Sequence, residues 1–226
     1  MSLRLSVVIP TFREVRNLEA VARSIETALR DRRWAYEVIF VDDDSQDGSE
    51  ELAMQLADKL PVRMIVRHGE KGLSTAVLRG ISEARGEFVV VMDADLSHPA
   101  ERIPNMLALL ENNKQDFVIG SRYVAGGSLD PSWTWFRLLN SKVATWLALP
   151  LARVHDPMSG FFAFRRADMP EAHLLSPIGY KIGLELLVKG DFKKPGEVPI
   201  HFADRVHGES RSEERRVGKE CQLRCR

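Results

Sequence analysis

GEFVVVMDADLSHP, the stretch Gly86–Pro99, decides how this chain folds. Its apolar run Phe88–Met92 shows no polar alternation, the pattern of a strand covered on both faces within a parallel sheet. The run stops at Asp93 and Asp95. In an extended strand residues i and i+2 point the same way, so the C-terminal end of this one brings two carboxylates together. That edge of an open α/β sheet is where ligands bind. Two carboxylates in a confined site repel unless a proton or a cation separates them. A hard divalent ion shared with a diphosphate, Mg2+ or Mn2+, meets that need. The competing reading is structural: Asp is a common N-cap, and a helix starts near Pro99.

The flanking sequence repeats the pattern. Leu5–Pro10 (LSVVIP), Tyr36–Val41 (YEVIFV) and Val62–Val66 read as earlier strands, and Phe117–Gly120 as a fifth. The first is followed by a helix with Leu18, Val21, Ile25 and Leu29 at helical spacing, which Thr11 and Glu14 can open as a capping box. The second ends in Asp42, Asp43, Asp44 and Asp47, where some carboxylates cap the next helix and at least one is available to a base or ribose. The third leads through His68–Gly72 into a helix over Leu73–Ala84, a turn whose helix N-terminus favours anions. The fifth ends at Arg122, a residue type suited to gripping phosphate, with a surface ion pair as the alternative.

Beyond it the order is less regular. A helix over Trp135–Leu149 carries Arg137, Ser141 and Lys142 within about one and a half turns, where they can face one anion. A polar turn, His155–Gly160, precedes a strand at Phe161–Phe164. Ile178–Val188 places Lys181 and Glu185 at i, i+4, an ordinary surface ion pair or a catalytic one. Gly196–Phe202 is a last strand. Alternating strands and helices predict an α/β fold, a Rossmann-like, mainly parallel sheet with helices on both faces.

Composition narrows the function classes. At 226 residues with 44% hydrophobic and 28% charged residues, the chain has the make-up of a soluble globular domain. Its net charge of zero supplies no global field for nucleic acid, and no nucleic-acid partner is expected. The N-terminus reads without a signal peptide, and no apolar run approaches the ~18 residues of a membrane span. Cys221 and Cys225 both lie in the charged stretch Arg211–Arg226, which continues none of the core periodicity. That stretch reads either as a solvated helix or as foreign sequence, outside a domain of residues 1–210. There is neither a GxxxxGK[ST] loop nor a GxGxxG turn after the first strand, which disfavours P-loop nucleotidases and dinucleotide dehydrogenases.

In order along the chain stand VVIPTFRE, VIFVDDDSQDGS, GLSTAVLRGISEARGEFVVVMDADLSHP, VIGSRYV, DPMSGFFAFRR and RVHGES. Together they resemble the family 2 glycosyltransferases of the A-type glycosyltransferase fold, and within them the dolichol-phosphate (polyprenol-phosphate) mannosyltransferase group. The resemblance implies inverting transfer of a hexose, mannose from GDP-mannose, to a polyprenyl or dolichyl phosphate. It places Pro10, Thr11, Glu14, Val41 and Asp43 around the nucleoside. It gives Asp93 and Asp95 to metal and diphosphate, with Asp95 the direct ligand, and Ser97 stands where relatives often carry a metal-contacting Gln. Arg122, Arg137, Ser141 and Lys142 align with the acceptor-phosphate region, Asp156 and Ser159 with its loop, and Arg205 with a segment closing over the donor.

An acceptor phosphate is already an anion, so attack on the sugar carbon needs no strong base. The expected catalytic set is therefore Asp95 and Arg205 at the leaving group with Arg122 at the nucleophile. The alternative is a family 2 enzyme of polysaccharide or glycolipid synthesis with a hydroxyl acceptor, for which Asp156 is the candidate base. A lipid acceptor implies a membrane surface. The expected setting is peripheral, on the cytoplasmic side, with a membrane-anchoring subunit or a longer natural chain as further arrangements. Trp133, Trp135, Phe136 and Trp146 suit either a membrane interface or plain core packing.

Overall fold

A computed structural model describes residues 3–129, 153–176 and 181–203. The described strands are β1 (Leu5–Thr11), β2 (Tyr36–Asp42), β3 (Val62–Val66), β4 (Phe88–Val91), β5 (Phe117–Ser121), β6 (Ser128–Leu129), β7 (Phe162–Arg165), β8 (Pro195–Pro199) and β9 (His201–Phe202). The α-helices among the described residues are α1 (Val15–Leu29), α2 (Ser49–Ala57), α3 (Leu73–Glu83), α4 (Ile103–Glu111) and α5 (Ile182–Lys189). Seven strands form one sheet in the order β3-β2-β1-β4-β7-β5-β8, and β6 pairs with β9 alone. All pairings in the large sheet are parallel except those of β7, which runs antiparallel to β4 and β5.

Alternation along each strand sorts side chains between two cores. Leu5, Val7 and Ile9 of β1, Val38 and Phe40 of β2, and Phe88 and Val90 of β4 pack on one face with Leu18, Val21 and Ile25 of α1. Val8, Ile39, Val41, Val89 and Val91 pack on the other with Ala76, Val77 and Ile81 of α3 and Leu186 of α5. Gly80 lets α3 sit tightly on β1, since a Cβ there would lie 2.3 Å from Val8 Cγ1.

Two features open the ligand edge. β1 pairs with β2 as far as Thr11–Asp42 but with β4 only as far as Val8–Val91. The last bond of the β1–β4 ladder runs from the Met92 N–H to the Val8 carbonyl. The next would need an N–H on residue 10, which is proline. The sheet therefore parts between β1 and β4, where the strand order reverses direction. In addition, β7 enters the sheet from that same edge because it is antiparallel, and so delivers residues 155–161 to it.

The strands differ from expectation in three places, one of them the run Gly196–Phe202, which is split between β8 of the large sheet and β9 of the small one. β4 stops at Val91, so Asp93 and Asp95 stand in a turn rather than on a pleat, with Leu96 in the left-handed region at φ 62°. The Thr11–Glu14 capping box does not form: β1 runs on to Thr11, whose hydroxyl donates to Asp42 Oδ2 at 3.0 Å, and α1 begins after Glu14 with no side-chain cap.

Candidate active site

The metal-type pair is built as two unlike carboxylates. Asp95 is 4% exposed, and its Oδ1 accepts both the Ser97 N–H at 3.1 Å and the Ser97 hydroxyl at 2.5 Å. The Asp93 side chain is 36% exposed and lines a cavity with Pro10, Met158, Gly160, Lys181 and Leu184. Its backbone N–H donates to His98 Nδ1 at 3.0 Å. His98 is buried, stacks on Phe161 at 5.3 Å and meets Phe202 edge-on at 5.3 Å, so the turn rests on a rigid aromatic base. Neither aspartate caps the next helical segment, which starts at Ala100 without a side-chain cap. Among the described residues no three His, Cys, Asp or Glu side chains cluster as a self-sufficient metal cage. Two carboxylates at an open strand edge fit a cation of the Mg2+ or Mn2+ kind that completes its shell with substrate phosphates and water.

The carboxylates that the sequence assigns to the nucleoside side all carry contacts within the protein. Asp42 accepts from Thr11 and Ser45, and Asp47 from Ser49 and the Val15 N–H. Asp44 lies 3.3 Å from His68. Asp43, buried, pairs with the buried Arg67 through its Oδ1 and accepts the Gly72 N–H on Oδ2 at 2.9 Å. Arg67 also donates to the Gly72 carbonyl and Thr75, so Asp43 and Arg67 together fasten the 68–72 turn and the start of α3 to the end of β2. The Val41 side chain lies in the core, and its main chain is in register with Pro10 of β1 and Ile65 of β3. Glu14 Oε2 accepts from Asn17 at 2.6 Å. Arg13, Asp44, Gln46 and Leu96 all adopt left-handed backbone, so strain gathers at this edge.

Across the edge, Arg122 is 9% exposed and Asp156 fully buried. They form a bidentate pair, with Nε–Oδ2 and Nη2–Oδ1 each 2.8 Å, and the Arg122 N–H adds a third bond at 3.0 Å. Burial works against the Arg122 charge, but the hydrogen bonds and charge of Asp156 outweigh it and raise the pKa. The guanidinium lies 5.3 Å from the Tyr123 ring and 5.4 Å from that of Phe202. Glu197 of β8 holds the loop from below, accepting the N–H groups of His155 and Asp156 at 2.8 and 3.0 Å. Ser159 donates to the Gly120 carbonyl at 2.8 Å.

Lys181 joins this group instead of pairing along its own helix. Glu185 bonds Lys189 at 2.7 Å, whereas Lys181 Nζ donates to the Met158 carbonyl at 3.3 Å. Burial foremost, then the Arg122 charge, lowers its pKa against the opposing pull of Asp93 and Asp156. The i, i+4 spacing with Glu185 left this residue open between a surface ion pair and a catalytic role, and the contact with Met158 shows that the surface pair does not form. Arg137, Ser141, Lys142 and Arg205 lie outside the described residues, as do Trp133, Trp135, Phe136, Trp146 and the 211–226 stretch.

The Glycosyl transferase family 2 model matches residues 6–169, a span that holds both halves of this edge. The chain belongs to glycosyl transferase family 2. Within family 2 it is 47% identical over 213 residues to the dolichol-phosphate mannosyltransferase of Pyrococcus furiosus, covering 92% of this chain but 59% of that protein. It thus spans under two thirds of that relative's length. The dolichol-phosphate mannosyltransferase of Saccharomyces cerevisiae is 39% identical over 93% of this chain and 82% of its own length. Among solved structures, glucosyl-3-phosphoglycerate synthase from Mycobacterium tuberculosis, in complex with Mn2+, uridine diphosphate and phosphoglyceric acid, aligns with a TM-score of 0.66. That alignment covers 96% of this chain and 74% of that one at 21% identity. The family 2 chain has the A-type glycosyltransferase fold.

Proposed function

We propose that this chain transfers mannose from GDP-mannose to a polyprenyl phosphate such as dolichyl phosphate, with inversion at the anomeric carbon. The observation that carries the reading is the state of Asp156. A hydroxyl acceptor needs a carboxylate base, and the one placed for that task is fully buried and spent on Arg122. A phosphate acceptor needs no base. It needs oriented cations, which this edge provides. The relatives named dolichol-phosphate mannosyltransferase support the same acceptor.

In this reading Asp93 and Asp95 hold Mg2+ or Mn2+, with Ser97 orienting Asp95 through its hydroxyl. When bound, the cation supplies positive charge to the departing diphosphate. Pro10, Thr11, Glu14, Val41 and Asp43 bound the nucleoside side, and Arg122, held rigid by Asp156, orients the nucleophile in line with the sugar carbon. Arg137, Ser141 and Lys142 add to the acceptor side and Arg205 to the leaving group. The catalytic domain is taken as residues 1–210. The acceptor places the reaction at a membrane surface, peripherally on the cytoplasmic side, with or without an anchoring subunit. No helix of the described residues is long and apolar enough to cross a membrane.

Radiolabelled GDP-mannose supplied with Mn2+ and either dolichyl phosphate or free oligosaccharides tests the reading. Label in the lipid phase, released by mild acid, is expected. Label only in the oligosaccharide would overturn it.

A further inference from the structure

The geometry points to Lys181 as a further residue of the acceptor site, a cation that receives the acceptor's phosphate beside Arg122. This rests on the phosphate-acceptor reading above. The short loop feeding β7 is gripped by cations at two places. Arg122 takes the Asp156 carboxylate, and two residues later Lys181 donates to the Met158 carbonyl at 3.3 Å. Ser159, pinned to Gly120, fixes the loop beside them. Asp156 compensates Arg122 through both carboxylate oxygens, and Lys181 grips the same loop two residues on, close enough to feel the Arg122 charge. The Arg122 charge repels Lys181 against the pull of Asp93 and Asp156, and an arriving anion relieves that repulsion.

The surroundings of Lys181 match one class of anion. Its cavity also contains Asp93, so the ammonium stands beside the turn that the donor diphosphate approaches. Ile182 and Gly183, the first residues of α5, line the same cavity, and the N-terminal end of a helix favours negative charge. The remaining walls include Leu73, Met158 and Leu184, an apolar lining suited to the hydrocarbon that follows the phosphate in a polyprenyl monophosphate. A free sugar hydroxyl would gain little from that combination.

The test uses the whole 226-residue chain with citronellyl phosphate, a short soluble isoprenyl phosphate, as acceptor. Lys181→Met is expected to raise the KM for citronellyl phosphate roughly ten- to a hundredfold, the loss of a charged hydrogen bond. The KM for GDP-mannose should stay about the same. Lys181→Arg should recover most of the loss, which a purely structural lysine would not require. Calorimetric affinity for citronellyl phosphate should fall in parallel. Should the methionine variant lose its thermal unfolding transition, Lys181→Gln carries the same comparison. An unchanged acceptor KM, or a rise confined to GDP-mannose, overturns the assignment, as does wild-type chain that fails to bind citronellyl phosphate. Wild-type chain that binds the probe in a Lys181-dependent way but transfers no mannose overturns the mannosyltransferase reading and leaves the assignment standing.

Discussion

Arg122 and Asp156, 34 residues apart, meet through two parallel side-chain hydrogen bonds of 2.8 Å, with the carboxylate wholly buried. The pair joins the end of β5 to the loop that feeds the antiparallel β7. A pair this buried is expensive to break from one side, because the partner keeps its charge in a poor solvent. Asp156→Asn is therefore expected to destabilise the fold by about 3 kcal/mol and to remove most transfer activity. Thermal and urea unfolding of the variant beside wild type measures the first effect, and an assay at a temperature where both are folded measures the second.

Ser97 donates to Asp95 at 2.5 Å, so its hydroxyl orients the carboxylate. Ser97→Ala should weaken Mn2+-dependent GDP binding roughly tenfold, in the range of lost outer-sphere contacts, while Asp95→Asn should abolish the metal dependence altogether. Calorimetric titration of GDP with and without Mn2+ distinguishes the two. An Asp95→Asn chain that keeps a full Mn2+ response would remove Asp95 from the metal site.

Gly80 faces Val8 so closely that a Cβ would come within 2.3 Å of Val8 Cγ1 and 3.0 Å of Val41 Cγ2. Alanine gains about 1 kcal/mol of helix propensity over glycine. Forcing a methyl between two buried β-branched side chains costs about 1–3 kcal/mol. Gly80→Ala should therefore lower the unfolding midpoint, and an equal or higher midpoint would mean that α3 shifts freely on the sheet.

Glu37, nearly buried at the far edge of the sheet, accepts from Ser6, Arg63 and the Arg85 N–H. Burial alone would raise its pKa, but those hydrogen bonds and the Arg63 charge bring it below the ordinary 4.5. A depressed folded-state pKa contributes stability that is present above the unfolded value and lost as pH falls through the folded one. Glu37→Gln should thus be less stable than wild type at pH 7, with the gap narrowing as pH drops below about 4.5. Unfolding midpoints measured from pH 7 down to pH 3 check the convergence.

What the sequence determined by itself is whatever local pattern encodes. Unbroken apolar runs such as Phe88–Val91 and Val38–Val41 are satisfied by strands covered on both faces, so the parallel sheet and its helices were legible. The clustering of aspartates and Arg122 at strand ends marked the edge of the sheet that the structure opens between β1 and β4.

The tertiary structure decided who partners whom. Thr11 had a helix start three residues away to cap, yet its hydroxyl goes to Asp42 because the β1–β2 ladder extends to that register. Lys181 had Glu185 one turn along, yet the packing of α5 turns it toward Met158 and the Arg122 loop. Asp156 was the base candidate for a hydroxyl acceptor alone, and its partner Arg122 stands 34 residues earlier in the chain. Polar side chains choose partners by distance and desolvation, and those quantities exist only once the fold has brought residues 23 to 34 positions apart into contact. The proline at position 10 belongs to both accounts: its missing N–H is written in the sequence, but only the β1–β4 register shows that its absence opens the crevice.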